Sequence, residues 1–83
     1  MSDDGVTFDE LSELMLRLGC SKAKDEKRTS FAHPALGTFL FLRAYGPKET
    51  VAERDMVVVR RQLLDNGLID STAFDRFLHK ATA

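Results

Sequence analysis

The chain has 83 residues, of which 43% are hydrophobic and 30% charged, and its formal net charge is −1. These values are ordinary for a soluble globular protein and predict a single domain, residues 1–83, with one small core. The longest apolar run without a charge, residues 39–42 with their small neighbours, is far shorter than the roughly 18–20 residues that a membrane span needs, which excludes a membrane span. The acidic start of the chain lacks the basic and apolar regions of a secretion signal.

Charge is unevenly distributed along the chain. Residues 1–16 hold five acidic residues and no basic one, whereas residues 17–61 hold ten basic and five acidic residues. A positive central segment predicts contact with an anionic partner, and nucleic acid is the first candidate. The alternative is that the charges keep a small domain soluble and that the acidic residues favour the start of a helix.

The first predicted element is a helix over about residues 8–18. Thr7 and Glu10 have the spacing of a capping box, in which the two side chains satisfy the first free N–H groups of a helix. Gly19 suits the residue that ends it. The apolar residues recur at helical spacing, at Phe8, Leu11, Met15 and Leu18.

A β-hairpin is predicted next. Residues 20–28 are polar and fit either an edge strand, where lysines are common, or a loop. Residues 29–33 predict a short strand, residues 34–37 supply Pro and Gly for a turn, and residues 38–43 are the strongest strand candidate. The hairpin becomes a three-stranded sheet if residues 20–28 join it.

Two further helices are predicted in the C-terminal part. Thr50 and Glu53 repeat the capping-box spacing, and Gly67 ends the apolar pattern that follows. The β-prone run Val57–Val59 leaves a strand as the alternative. Asp70 or Ser71 caps the last helix. The order α-β-β-β-α-α predicts an α+β fold, a three-stranded antiparallel sheet with helices packed on one face.

Two features are candidate binding sites. The first is a basic patch before the hairpin, expected to contact phosphate: Lys22, Lys24, Lys27 and Arg28. If this segment is extended, Lys22 and Lys24 share one face, because strand side chains alternate. The second is the third strand, where Phe39 and Phe41 point away from Leu40 and Leu42. Because both sets are apolar and helices cover one face, the other face either binds a partner or is shielded by neighbouring side chains.

Catalytic and cofactor signals are sparse. His33, in the step Ala32-His33-Pro34, is a weak catalytic candidate, and its alternative is packing beside the hairpin turn. His79 is expected to be exposed. Cys20, the single cysteine, is interpreted as a packing residue, and it can form neither an internal disulfide nor a thiolate metal site. We therefore expect a cytoplasmic protein without a metal or other cofactor.

Residues 7–79 resemble the HicA-type toxins of bacterial toxin–antitoxin pairs. The resemblance is carried by a short helix ending in Arg17-Leu18-Gly19, a polar strand, the step Phe31-Ala32-His33-Pro34 and a helix closing in Gly67-Leu68-Ile69. It implies a double-stranded-RNA-binding-domain-like fold, mRNA interferase activity and inhibition by a HicB-type antitoxin. Residues 1–6 are then expected to be a disordered N-terminal segment.

The position of the family's catalytic histidine is occupied by Arg28. In the family this histidine opens the second strand, five residues before the His of His-Pro, which is His33 here. A guanidinium stays protonated and cannot act as a general base, although it can hold a phosphate. An offset of five also places His33 on the opposite strand face. The resemblance thus implies an RNA-binding protein without the expected histidine. The alternative is a non-enzymatic interaction module on the same scaffold, which binds a protein partner or a second copy.

Overall fold

The computed structural model describes residues 5–82, with side chains for residues 5–79, and has an α+β fold. Its elements are α1 (Phe8–Arg17), β1 (Ser21–Lys24), β2 (Arg28–His33), β3 (Gly37–Arg43), α2 (Glu53–Asp65) and α3 (Ser71–Thr82). Within the described residues the strands form one antiparallel sheet in the order β1-β2-β3. The predicted fold class and element order are confirmed, and the lysine-rich segment is an edge strand.

Side-chain alternation divides the sheet into two faces. On the covered face, Thr29 pairs with Leu42 and Phe31 pairs with Leu40, and all four side chains are buried. The intervening residues point to the other side, which we call the open face. Its members are Ser21, Ala23, Arg28, Ser30, Ala32, Thr38, Phe41 and Arg43.

A β-bulge changes the position of Phe39. Phe31 pairs with Leu40 and Ala32 pairs with Thr38, so Phe39 is an extra residue between the two pairs. Phe39 is half-buried and packs against the core, whereas Phe41 is 55% exposed. The strict alternation expected over residues 38–43 is therefore wrong at Phe39, because the bulge removes it from the surface that Phe41 forms.

One hydrophobic cluster lies between the covered face and the helices. The helices contribute the buried side chains of Phe8, Leu11 and Met15 from α1, Val59 and Leu63 from α2, and Phe74 from α3. Val6 also belongs to this cluster, and its carbonyl accepts the Val51 N–H at 2.8 Å. Val6 is therefore held by the core and by one backbone hydrogen bond, while residues 1–4 of the predicted segment lie outside the described residues.

The start of α1 is stabilised from two sides. The Thr7 hydroxyl accepts the Glu10 N–H at 3.3 Å and the Glu10 carboxylate accepts the Thr7 N–H at 2.9 Å, which confirms the predicted capping box. Two more N–H groups of the first turn, those of Phe8 and Asp9, donate to carbonyls of the loop after β3. The loop between β3 and α2 therefore also fixes α1.

The side chain that hydrogen-bonds at the start of α2 is Tyr45, and not Thr50. The prediction of a capping box at Thr50 is wrong, because Thr50 pairs with Thr7 in a β-bridge and the N-cap residue is Ala52. The Tyr45 hydroxyl accepts the Ala52 N–H at 3.0 Å and donates to the Asp55 carboxylate. Burial, followed by the bond to Asp55, raises the pKa of Tyr45 above its ordinary value of 10.0, so the hydroxyl keeps its proton at neutral pH.

The last helix begins at the expected place. The Asp70 carboxylate accepts the Ala73 N–H at 2.7 Å, so Asp70 is the cap of α3. On the inner side of this helix, the Phe74 and Phe77 rings contact each other with centroids 5.8 Å apart. None of the helices in residues 5–82 combines the length and apolar character needed to cross a bilayer.

Removing the Tyr45 hydroxyl should destabilise the fold. We expect Tyr45→Phe to lower the free energy of unfolding by about 1–3 kcal/mol, because the Ala52 N–H and the Asp55 carboxylate lose a buried partner while the ring stays in place. Urea unfolding followed by circular dichroism measures the change. Asp55→Asn removes part of the same interaction, so the double variant should lose less than the sum of the two single losses. Strict additivity would contradict a shared network.

Thr29 should tolerate the loss of its hydroxyl. Its side chain is fully buried on the covered face, and its Oγ1 has no hydrogen-bond partner among the described residues. Thr29→Val keeps the shape and removes the unsatisfied oxygen, so we expect a gain of about 1 kcal/mol in unfolding free energy. Ser30→Ala, one residue further on the open face, is the control and should have little effect. A clear loss of stability in Thr29→Val would show that the hydroxyl is satisfied.

Candidate nucleic-acid interface

Four exposed basic residues lie on the β1–β2 hairpin, and we call them the hairpin cations: Lys22, Lys24, Lys27 and Arg28. Lys22 pairs with Phe31 and Lys24 pairs with Thr29, so both lysines lie on the covered side of the edge strand. Their predicted common face is confirmed. Arg28 precedes Thr29 and lies on the open face, while Lys27 is in the turn. The hairpin thus carries positive charge on both sides, and the four residues do not form one flat patch.

The hairpin cations differ in the contacts that their side chains make with the rest of the fold. The Lys22 Nζ lies 5.3 Å from the Phe8 ring centroid and donates to the Ser12 Oγ at 3.4 Å, so its ammonium group is anchored to α1. The Arg28 guanidinium lies 5.3 Å from the Phe41 ring centroid. The ion pairs of the described residues join other side chains, and none of them involves a hairpin cation.

Two acidic residues moderate the charge of the turn. Asp25 and Glu26 lie between the lysines, so residues 22–28 have a net charge of +2. The Asp25 carboxylate accepts the Glu26 N–H at 2.7 Å, and the Asp25 N–H donates to the Arg28 carbonyl at 2.8 Å. Asp25 therefore shapes the turn as well as contributing its charge. The hairpin is a local positive region on a protein that is close to neutral overall.

Arg43 is directly opposite Arg28 but is neutralised within the fold. Its guanidinium lies 3.9 Å from the Tyr45 ring centroid and forms an ion pair with Glu49 at 2.7 Å. The bond to Glu49 is the main reason that the pKa of Arg43 is raised above its ordinary value. Of these two facing arginines, only Arg43 has an acidic partner in the described residues. The sequence analysis did not identify this cluster, although its three members lie within seven residues of one another.

The candidate catalytic side chain, His33, is distant from the turn between β1 and β2. His33 pairs with Gly37 at the far end of β2 from Arg28 and, by alternation, on the opposite face. Its Nδ1 accepts the Ala35 N–H at 3.1 Å, so the imidazole is a structural partner of the β2–β3 turn. His79 is exposed on α3. Cys20 is buried, and burial raises the pKa of its thiol, which disfavours the reactive thiolate.

Comparisons with protein-family models, with curated proteins and with solved structures give no match to this chain. Function is therefore inferred from the placement of charged and aromatic side chains on the fold. Among the described residues, the hairpin cations and the open face both combine exposure with charged or aromatic side chains. Both lie around Arg28, which is the residue they share.

The Glu49 carboxylate is held in its charged form. The Gly46 N–H donates to it at 3.0 Å and the Arg43 guanidinium donates at 2.7 Å, and in that order they lower the pKa of Glu49 below its ordinary value of 4.5. Because the pKa is lower in the folded state, the contribution of Glu49 to stability is present above about pH 4.5 and is lost as the pH falls through the lowered value.

A carboxyl titration followed by NMR should place the midpoint of Glu49 below 4.5. Arg43→Met should raise this midpoint, but incompletely, because the bond from Gly46 remains. Arg54→Met, on α2, is a control that removes a positive charge elsewhere and should leave the midpoint of Glu49 unchanged. An identical midpoint in Arg43→Met and the unmodified protein would contradict the ion pair.

Proposed function

We propose that the protein is a HicA-like RNA-binding protein of the toxin–antitoxin type that lacks the catalytic histidine of that family. The observation that carries the proposal is the β1–β2 hairpin, on which four exposed cations have no ion-pair partner among the described residues. The element order and the packing of the helices on one sheet face agree with the architecture that the resemblance implies. The free cysteine, Cys20, is consistent with a reducing compartment, so we expect the protein to act in the cytoplasm.

Contact with RNA occurs through phosphates on either side of the hairpin. Lys24, together with Lys22, approaches a phosphate strand from the covered side, and Arg28 approaches from the open side. A ribbon with cations on both sides is suited to lie across a groove that has phosphates along both edges. Structured RNA is the expected ligand, since proteins recognise A-form helices mainly by shape and by backbone contacts across the wide minor groove.

Cleavage of the RNA is not part of the proposed activity. The residue at the position of the family's histidine is Arg28, whose guanidinium cannot accept a proton from a ribose hydroxyl near neutral pH. His33 is at the other end of β2 and on the opposite face, so it cannot act at the same phosphate. The protein then regulates by binding RNA, and a HicB-like antitoxin remains its expected protein partner.

The alternative function is a protein-interaction module without RNA. The observation that favours it is the exposure of Phe41, since an exposed aromatic ring is a common anchor in protein interfaces. Phe39 contributes less to such a surface than the sequence indicated, because it packs against the core. A homodimer formed through this face is the simplest version of the alternative, and light scattering would detect it.

Binding of an RNA stem–loop at about 50 mM and about 200 mM salt tests the main proposal. We expect binding at low salt that weakens as salt rises, because each phosphate contact releases counterions. Lys22→Gln/Lys24→Gln should weaken binding and reduce the salt slope by about one per lysine. Lys48→Gln/Arg60→Gln removes two exposed positive charges away from the hairpin and should leave the slope unchanged. Absence of binding at low salt would refute the proposal.

A further inference from the structure

The open face of the sheet has one large apolar side chain among the described residues, and that side chain is Phe41. In the register, Phe41 pairs with Ser30, and Ser30 pairs with Ala23 on the next strand. Ala32 and Thr38 form the next row toward the β2–β3 turn. Because strands are about 4.8 Å apart, these small neighbours form a shallow shelf about 10 Å wide beside an aromatic ring. A planar group can therefore reach the exposed part of the ring.

Positive charge lies at one end of this shelf. Arg28 and Arg43 are a directly opposed cross-strand pair, an arrangement that is unfavourable for like charges. The charge of Arg43 is neutralised by its ion pair with Glu49, whereas Arg28 forms no ion pair with a described acidic residue. None of the described strand residues that point to the open face is acidic. An anionic group bound at Arg28 would supply the missing counter-charge.

The Phe41 ring and the Arg28 guanidinium are already adjacent. The Arg28 Cζ lies over the Phe41 ring, 5.3 Å from its centroid, so the guanidinium and the ring form one surface at the end of the shelf nearest the β1–β2 turn. A nucleotide presents a planar base and a phosphate, and these two groups match the ring and the guanidinium. Bases without a pairing partner stack on aromatic side chains in this way, and the stacking does not depend strongly on base identity.

A protein partner fits the same face less well. A stable interface buries about 800 Å² on each side around an apolar centre. The open face offers one exposed ring surrounded by serine, threonine, alanine and arginine side chains, which is too little apolar area for such a centre. A nucleotide needs only a ring to stack on and a cation for its phosphate.

We propose that the open face binds an unpaired nucleotide of RNA, with its base stacked on Phe41 and its phosphate held by Arg28. This inference rests on the proposed RNA-binding function and specifies the form of RNA, a single-stranded segment adjoining a structured one. Arg28 connects the two surfaces, because it follows the turn that carries Lys27 and also borders the shelf. A strand that leaves the hairpin can therefore pass directly onto the open face.

The test compares a blunt RNA duplex with the same duplex extended by a single-stranded tail that contains 2-aminopurine. The unmodified protein should bind the tailed RNA more tightly than the blunt one and should quench 2-aminopurine fluorescence. Phe41→Leu keeps an apolar side chain but removes the aromatic surface, so it should weaken tailed-RNA binding about five-fold or more and abolish the quenching. Its affinity for the blunt duplex should not change.

Two further variants exclude trivial explanations. Leu36→Ala shortens another exposed apolar side chain, in the β2–β3 turn, and should bind both RNAs like the unmodified protein. Phe41→Trp keeps an aromatic surface and should retain the preference for the tail. Because the chain contains no other tryptophan, its emission should report directly on base stacking. Circular dichroism verifies that the variants are folded.

The outcomes separate the two proposals. If neither RNA binds at low salt, the RNA-binding function itself fails. If both RNAs bind but Phe41→Leu leaves the preference for the tail and the quenching intact, RNA binding stands and the nucleotide site on the open face is refuted. If Phe41→Leu instead converts a dimer to a monomer in light scattering without affecting RNA binding, the open face is a protein interface and the inference is also overturned.

Discussion

The hydroxyl and ring of Tyr45 form the junction on which the arrangement of the other elements depends. The ring stacks on Phe8 of α1 with centroids 5.5 Å apart, and the hydroxyl connects Ala52 with Asp55 at the start of α2. Arg43, the last residue of β3, connects the sheet to this junction, because its guanidinium lies against the same ring. Helix starts leave N–H groups unsatisfied, and this one loop satisfies such groups for both α1 and α2. The sheet and two helices are thereby held in one geometry.

That junction also decides the electrostatics of the surface. Arg43, one of the two facing arginines, contacts the Tyr45 ring and forms an ion pair with Glu49, so its charge is neutralised within the fold. Arg28 is left beside Phe41 with its charge available to a ligand. A feature that stabilises the end of β3 therefore leaves Arg28 as the arginine available to the proposed nucleotide, and the structural and proposed functional roles of the hairpin are linked at Arg28.

Local signals were reliable where a short segment contains all of the interacting groups. The capping box at Thr7, the helical stripe of α1 and the cap at Asp70 depend on residues within a few positions of one another, and each is present. The same reasoning failed at Thr50, because the backbone of Thr50 pairs with Thr7, 43 positions earlier in the chain. The pairing with Thr7 prevents Thr50 from acting as a local cap, and the spacing of residues around Thr50 cannot predict a pairing with a segment so far away in the chain.

The sequence alone predicted the α+β class and the order of the elements and, with residues 20–28 taken as a strand, the common face of Lys22 and Lys24, because periodicity and strand alternation follow from backbone geometry. Only the tertiary structure decided that a bulge turns Phe39 toward the core and that the Tyr45 hydroxyl bonds to Ala52 and Asp55 at the start of α2. It also separated Arg28 from the lysines and left it unpaired while Arg43 is neutralised. These features depend on register and on contacts between distant segments, where packing of the whole chain, and not local preference, selects among the alternatives.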